Sequence, residues 1–100
     1  MKRALKNRIK KELCESLKSE SEIRKIIIFG SFLKLNDPKD IDLVIFQDSN
    51  ESYLKLALKY RKLTRKISKT IPIDIIPLRK DISDSFILSE IEAGELIYER

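Results

Sequence analysis

Three aspartates and a glycine–serine pair are the residues of this chain whose types and spacing could do chemistry. Asp40 and Asp42 are two residues apart at the start of an apolar segment, and Asp74 stands between isoleucines further along. In a β-strand, side chains two residues apart point to the same face, so Asp40 and Asp42 should lie side by side. Carboxylates held that close favour a divalent cation such as Mg²⁺ or Mn²⁺, which neutralises their repulsion.

Asp74 would complete a three-carboxylate site if its strand lies next to the strand of Asp40 and Asp42. Three carboxylates at one place suit two metal ions ~3.5–4 Å apart, bridged by Asp40 and Asp42. Asp74 would then help to deprotonate an acceptor hydroxyl. Gly30 allows the backbone to approach a phosphate, and Ser31 offers a hydroxyl donor to its oxygens. The pattern therefore predicts phosphoryl or nucleotidyl transfer.

The composition excludes several other kinds of catalytic site. There is no histidine, so Ser-His-Asp and Cys-His catalysis and histidine metal ligands are ruled out. The two glycines, Gly30 and Gly94, cannot form a GxGxxG fingerprint or a Walker A loop. The single cysteine, Cys14, cannot form an internal disulfide, which fits a reducing compartment. Catalysis must therefore depend on carboxylates, lysines, hydroxyls and a bound metal ion.

Length and composition predict one globular domain over residues 1–100. The chain is 42% hydrophobic and 37% charged, which is typical of a folded protein rather than a disordered one. No apolar run approaches the ~20 residues that cross a bilayer, and the N-terminus lacks a long apolar signal core. We expect a cytoplasmic protein without a membrane partner. The net charge of +5 favours polyanionic partners such as nucleotides, nucleic acid or an acidic protein surface.

Hydrophobic periodicity predicts the elements that position these residues. An apolar residue at every fourth position predicts a helix over residues 2–18. Continuous apolar runs predict strands over 26–29 and 41–46, the first of them central and covered on both faces. An apolar stripe from Tyr53 to Ile67 predicts a helix of about 18 residues with Tyr53 and Tyr60 in the core.

The C-terminal third of the chain predicts two more strands and one more helix. Thr70–Pro77 is predicted as the third strand, with its two prolines at the ends or facing outward. Ser83–Ala93 is predicted as a helix with Gly94 as its C-cap and three apolar residues buried: Ile87, Leu88 and Ile91. Leu96–Tyr98 is predicted as a last short strand. The element order α-β-β-α-β-α(-β) gives an α/β (α+β) fold class, a sheet backed by helices.

The motif residues resemble a known family. Residues 27–31, Ile-Ile-Phe-Gly-Ser, and residues 39–45, Lys-Asp-Ile-Asp-Leu-Val-Ile, are similar to the GS…DxD motif of the DNA polymerase beta-like nucleotidyltransferase superfamily. In size the chain is similar to the minimal nucleotidyltransferase domains of that superfamily. In these domains the DxD motif is followed by a helix and then by a strand that carries a third aspartate. Residues 73–76, which include Asp74, occupy the position of that strand. The C-terminal residues 92–99 also resemble the C-terminal residues of these domains.

The resemblance implies a fold, an activity and a partner. The fold is a nucleotidyltransferase-like mixed sheet of three to four strands backed by helices. The activity is transfer of AMP from ATP to an acceptor hydroxyl, with Mg²⁺ as cofactor and two ions expected. Asp40, Asp42 and Asp74 would be the catalytic and metal-binding residues, and Gly30 and Ser31 would bind the nucleotide. Many such domains are antitoxins that adenylylate a helical HEPN-type toxin, so a HEPN-type protein is the implied partner.

Other functions stay open at this point. One alternative is a non-catalytic antitoxin or adaptor with the same fold, and another is a small-molecule nucleotidyltransferase whose acceptor is an antibiotic or sugar. A third is an RNA-binding protein that uses the basic face of the long helix. This basic face has no aromatic residues on which bases could stack. That face carries Lys55, Lys59, Arg61, Lys62, Arg65, Lys66 and Lys69. A homo-oligomer also remains open.

Overall fold

A mixed sheet forms the centre of the computed structural model, which describes residues 1–82 and 84–100. Its four strands are β1 (Ile23–Phe29), β2 (Ile41–Gln47), β3 (Ile73–Arg79) and β4 (Glu95–Glu99), in the order β3-β2-β1-β4. β1 runs antiparallel to both β2 and β4, whereas β2 and β3 are parallel. The α/β fold class and the mixed sheet predicted from the sequence are therefore confirmed.

Five helices occur among the described residues. They are α1 (Arg3–Leu17), α2 (Ser31–Lys34), α3 (Tyr53–Leu63), α4 (Arg65–Ser68) and α5 (Ser85–Glu92). α1 forms where apolar residues recur every fourth position, and it buries Ile9, Leu13 and Leu17 against the sheet. α3 begins after Ser52, whose hydroxyl accepts a hydrogen bond from the Lys55 amide. In the described part of the chain, no helix combines the length and apolar character that crossing a bilayer requires.

The two faces of β2 have different surroundings. Ile41, Leu43 and Ile45 belong to one buried cluster with side chains of α1 and α3, such as Leu13 and Tyr60. The alternating residues Asp42, Val44 and Phe46 therefore point to the opposite face of the sheet. The main core lies between the sheet and helices α1, α3 and α4, while the candidate carboxylates lie on the other side.

The predicted helix of about 18 residues is interrupted, so that prediction was wrong in length. α3 ends at Leu63, and the separate short helix α4 begins after Thr64. Thr64 is 1% exposed, and its hydroxyl donates to the carbonyl of Tyr60 (2.9 Å), a contact that bends helices. Tyr60 is buried as predicted. Tyr53, however, is 58% exposed, because it lies on the rim of a surface cleft beside Leu78 rather than in the core.

Strand β3 begins later and ends later than predicted. It starts at Ile73 instead of Thr70 and continues to Arg79, because the Lys80 amide still donates to the carbonyl of Gln47 (3.0 Å). Pro77 lies inside the strand, which is tolerated because β3 is at the edge of the sheet.

Strand β1 is longer than its apolar run indicated. It begins at Ile23, and the register against β2 shifts between Ile23 and Lys25. Arg24, at this irregularity, forms an ion pair with Asp48 at 2.5 Å. Because the bulge and the two basic residues break the apolar pattern, the first half of β1 could not be recognised from periodicity.

The C-terminal helix is less buried than predicted. α5 covers Ser85–Glu92, and Ser83 lies outside the described residues. Leu88 is 42% exposed, so its predicted burial was wrong, while Ile87 and Ile91 are half-buried. α5 packs mainly against β1.

Gly94 follows α5, but it does not adopt the left-handed conformation of a glycine helix cap. Its φ is not positive, and its amide donates to the carbonyl of Ile91 at 2.8 Å. A Cβ at Gly94 would lie 2.6 Å from the backbone oxygen of Ile28, so the glycine is needed for close approach to β1. The predicted last strand follows as β4, one residue longer at each end than Leu96–Tyr98.

Candidate metal and phosphate site

Parallel pairing of β2 and β3 brings the three aspartates together. Asp42 is the direct cross-strand neighbour of both Phe29 on β1 and Asp74 on β3. Directly paired residues point to the same face of a sheet, so the side chains of Asp42 and Asp74 lie next to each other. Asp40 immediately precedes β2, two residues before Asp42. One carboxylate oxygen from each of the three aspartates lies within 4.8 Å of the others.

A backbone hydrogen bond sets the register of the β2–β3 pair. The Ile41 amide donates to the carbonyl of Pro72 at 2.9 Å, just before β3 begins. From that point, Ile41 pairs with Ile73 and Asp42 pairs with Asp74. A shift of one residue would turn one aspartate to the opposite face, so this register is what assembles the cluster.

The cluster is strongly negative. Asp40 and Asp42 are half-buried and Asp74 is exposed. Burial raises the pKa of Asp42, and the neighbouring carboxylates of Asp40 and Asp74 raise it further. Within residues 1–82 and 84–100, no lysine or arginine forms an ion pair with any of the three. An all-oxygen donor set with uncompensated charge fits Mg²⁺.

Gly30 lies directly against this cluster. It follows the last residue of β1 with φ +80°, a conformation that residues with a side chain rarely adopt. A Cβ at this position would lie 2.6 Å from Oδ2 of Asp42. The glycine is thus required twice, by its backbone angle and by the space that the Asp42 carboxylate occupies.

Ser31 begins the short helix α2 next to Gly30. Its carbonyl accepts a hydrogen bond from the Leu35 amide at 2.8 Å, which closes the turn. In the part of the chain that the structure describes, the Ser31 hydroxyl has no hydrogen-bond partner, so it remains available to an incoming ligand. The predicted glycine–serine pair and the predicted aspartates therefore lie at the same end of the sheet.

Phe32 is a positioning residue that the sequence analysis missed. Its side chain is fully buried in the main core, and the ammonium of Lys6 lies 5.4 Å from its ring centroid. This anchor holds α2, and with it Gly30 and Ser31, against the sheet. The available signal was a large aromatic residue directly after the glycine–serine pair.

Comparisons with experimentally determined structures show the same fold. One similar structure is of a tri-AMPylated HEPN toxin from Shewanella oneidensis in complex with an MNT antitoxin, with 15% identity and a TM-score of 0.65. That match covers 95% of this chain and 73% of the other. A second is the toxin-antitoxin complex MntA-HepT, with 14% identity, a TM-score of 0.62, and coverage of 94% and 73%. A variant of that complex has a TM-score of 0.59 at 16% identity, with coverage of 95% and 73%.

The sequence itself matches a family profile. A search of curated protein sequences found no significant match. The profile described as "Polymerase beta, Nucleotidyltransferase" matches residues 11–100, which contain both halves of the site. The resemblance inferred from the GS…DxD motif is thereby confirmed, and the chain belongs to the polymerase beta nucleotidyltransferase family.

Proposed function

We propose that this protein is a magnesium-dependent nucleotidyltransferase that moves AMP from ATP to a hydroxyl group on a protein partner. The observation that carries the proposal is the convergence of Asp40, Asp42 and Asp74 within 4.8 Å, with Gly30 packed against Asp42. Family membership supports nucleotidyl transfer as the reaction class. Transfer of this kind needs positioned phosphates and neutralised charge, and these residues are suited to provide both.

Asp40 and Asp42 would hold magnesium between them, and Asp74 would complete the ligand set on the acceptor side. When bound, the ions supply neutralisation of phosphate charge and polarisation of phosphoryl oxygens. The raised pKa of Asp42 supports this role, because a buried carboxylate beside two others is stabilised by an added cation.

Gly30 and Ser31 would hold the phosphates of ATP. The missing side chain of Gly30 lets the backbone approach the nucleotide, and the free Ser31 hydroxyl would donate to a phosphate oxygen. The acceptor oxygen then forms a bond to the α-phosphorus while the bond from that phosphorus to the pyrophosphate oxygen breaks. Asp74 is exposed at the sheet edge, where it would accept the proton of an approaching hydroxyl.

The partner that we propose is a HEPN-type toxin, which makes this protein its antitoxin. Two similar structures are complexes of an antitoxin with a toxin, and one of them contains an AMPylated HEPN toxin. The exposure of Asp74 on edge strand β3 supports a macromolecular acceptor, because a side chain on another protein could reach it from solvent.

The test combines the purified protein with ATP labelled at the α-phosphate, Mg²⁺, and a purified HEPN-type protein encoded beside it. We expect label and a mass gain of one or more AMP units on the HEPN-type protein, and no product when EDTA is added. The variant Asp42→Asn should lose transfer. Asp37→Asn, which changes an exposed aspartate outside the cluster, should retain it.

Other outcomes would support other functions. Neutralisation of the toxin that persists in an Asp40→Ala/Asp42→Ala variant, with no AMP added, would indicate a non-catalytic binding module. Label on an antibiotic or sugar, and none on protein, would indicate a small-molecule nucleotidyltransferase.

A further inference from the structure

The segment between Tyr53 and Ile73 concentrates the positive charge of the protein. It contains seven cations and no acidic residue: Lys55, Lys59, Arg61, Lys62, Arg65, Lys66 and Lys69. Because the net charge is +5, the chain without these seven would carry a net charge of −2. A basic surface of this kind is a physical basis for binding a polyanionic or acidic partner.

Most of these cations are not neutralised within the protein. Lys55 forms an ion pair with Glu51, and Lys59 forms ion pairs with Glu20 and Glu22. Across the described ranges, 1–82 and 84–100, the other five form none. An acidic ligand would neutralise charge that the protein itself leaves unpaired.

Two exposed leucines continue the basic surface along α3. Leu54 is 66% exposed and Leu58 is 54% exposed. Leu54, Leu58 and Arg61 follow the spacing i, i+4 and i+7 on α3, which places these three on one stripe of that helix, and Arg65 of α4 lies beside them. We call these four residues the Leu-Arg stripe. Leu58, Arg61 and Arg65 line one surface cavity of about 340 Å³.

This cavity lies at the β3 edge of the sheet, on the opposite face of β3 from the carboxylate cluster. Its lining includes Ile73, the first residue of β3 and the immediate neighbour of Asp74. A partner bound along the Leu-Arg stripe would therefore reach the edge of the sheet that carries the carboxylate cluster.

We propose that the Leu-Arg stripe docks an acidic helix of the protein acceptor, with apolar contacts at Leu54 and Leu58 and ion pairs at Arg61 and Arg65. The spacing of the stripe matches how one amphipathic helix lies against another. That the helix belongs to the acceptor rests on the proposed function, whereas the chemistry of the docking surface does not. The leucines favour protein over nucleic acid, because a phosphate backbone offers them no apolar contact.

The test uses a synthetic helical peptide of about five turns, with leucines spaced i, i+3, i+4 and i+7 and glutamates elsewhere. Two comparison probes are a peptide of scrambled sequence and a single-stranded RNA of the same net charge. Fluorescence anisotropy measures binding without ATP or magnesium. We expect the patterned peptide to bind at least ~10-fold more tightly than the scrambled peptide or the RNA.

Matched variants separate charge from apolar contact. Arg61→Glu/Arg65→Glu should abolish peptide binding, and Leu54→Gln/Leu58→Gln should weaken it by about 10-fold. Lys2→Glu/Arg3→Glu reverses two exposed cations at the N-terminal end of α1, so it makes the same change in net charge and should leave binding intact. Circular dichroism confirms that each variant is folded.

Three results would overturn the docking surface: tighter binding of the RNA, unchanged binding by the leucine variant, or equal loss in the α1 variant. Because no nucleotide or metal is present, failure of AMP transfer does not affect this measurement. AMP transfer that is normal in the Arg61→Glu/Arg65→Glu variant would overturn the assignment of the docked helix to the acceptor and leave the proposed enzyme intact.

Discussion

Gly30 packs directly against the carboxylate of Asp42: a Cβ on Gly30 would lie 2.6 Å from Oδ2 of Asp42. The glycine at the end of β1 and the second aspartate of the DxD motif are therefore one structural unit. The unit explains why a residue 12 positions away in sequence controls the position of a candidate metal ligand.

Gly30→Ala should damage both stability and transfer. The φ of +80° costs a non-glycine residue about 1–3 kcal/mol, and the new methyl group must displace the Asp42 carboxylate. A displacement of that kind should lower AMP transfer by about 100-fold. Gly94→Ala is the control, because it clashes with the backbone of Ile28 and should destabilise the fold without slowing the folded enzyme. Thermal melts and transfer rates measure both, and an unchanged rate in Gly30→Ala would contradict the assigned geometry.

Asp42→Asn should stabilise the metal-free protein and remove its response to magnesium. Burial and the carboxylates of Asp40 and Asp74 disfavour the charge of Asp42, so a neutral side chain of the same shape relieves repulsion. At about 100 times its Kd, magnesium should stabilise the wild type by about 2.7 kcal/mol. Calorimetry with and without Mg²⁺ measures the difference. Asp37→Asn should behave like wild type, and a full magnesium response in Asp42→Asn would reject the metal site.

Glu22→Gln should lower stability in a pH-dependent manner. The Glu22 carboxylate accepts hydrogen bonds from the Lys59 ammonium (2.6 Å) and the Tyr60 hydroxyl (2.9 Å), so its loss should cost about 1.5–3 kcal/mol at neutral pH. Glu51→Gln, which removes an exposed pair with Lys55, should cost much less.

The sign of this pH dependence follows from the pKa of Glu22. Burial acts to raise that pKa, but the hydrogen bonds from Lys59, the backbone and Tyr60 outweigh it, and the pKa is lowered in the folded state. The contribution is therefore present above the unfolded pKa of about 4.3 and is lost as the pH falls through the folded pKa. Urea unfolding from pH 7 down to pH 3 should show the two proteins converging in acid. A constant difference would contradict this assignment.

Phe32→Leu should weaken nucleotide binding beyond its effect on stability. Phe32 is fully buried and anchors α2, so a smaller side chain should cost about 1 kcal/mol and loosen the Gly30–Ser31 turn. We expect the KM for ATP to rise several-fold. Ile26→Val removes a methylene group from the same core at a similar cost, away from this turn, and should leave KM unchanged. Equal KM values in the two variants would show that Phe32 serves stability alone.

Local patterns in the sequence were sufficient for much of the fold and for the composition of the site. The apolar runs over residues 26–29 and 41–46 lie in β1 and β2, and fourfold spacing identified α1 within one residue at each end. The i, i+2 spacing placed Asp40 and Asp42 on one side because side-chain alternation is a property of any strand. These features depend on residues close together in the chain, and so they can be predicted from it.

Tertiary contacts decided the rest. Asp74 joins Asp42 because β2 and β3 pair in parallel with one register, which a hydrogen bond between Ile41 and Pro72 begins. The positive φ of Gly30 and its contact with Asp42 also arise where separate segments meet. The break occurs at Thr64, which is buried and donates its hydroxyl to the carbonyl of Tyr60. The sequence alone thus determined which groups could form the site. The pairing of strands that are distant in sequence decided that these groups meet, because strand neighbours and register depend on contacts that local periodicity does not encode.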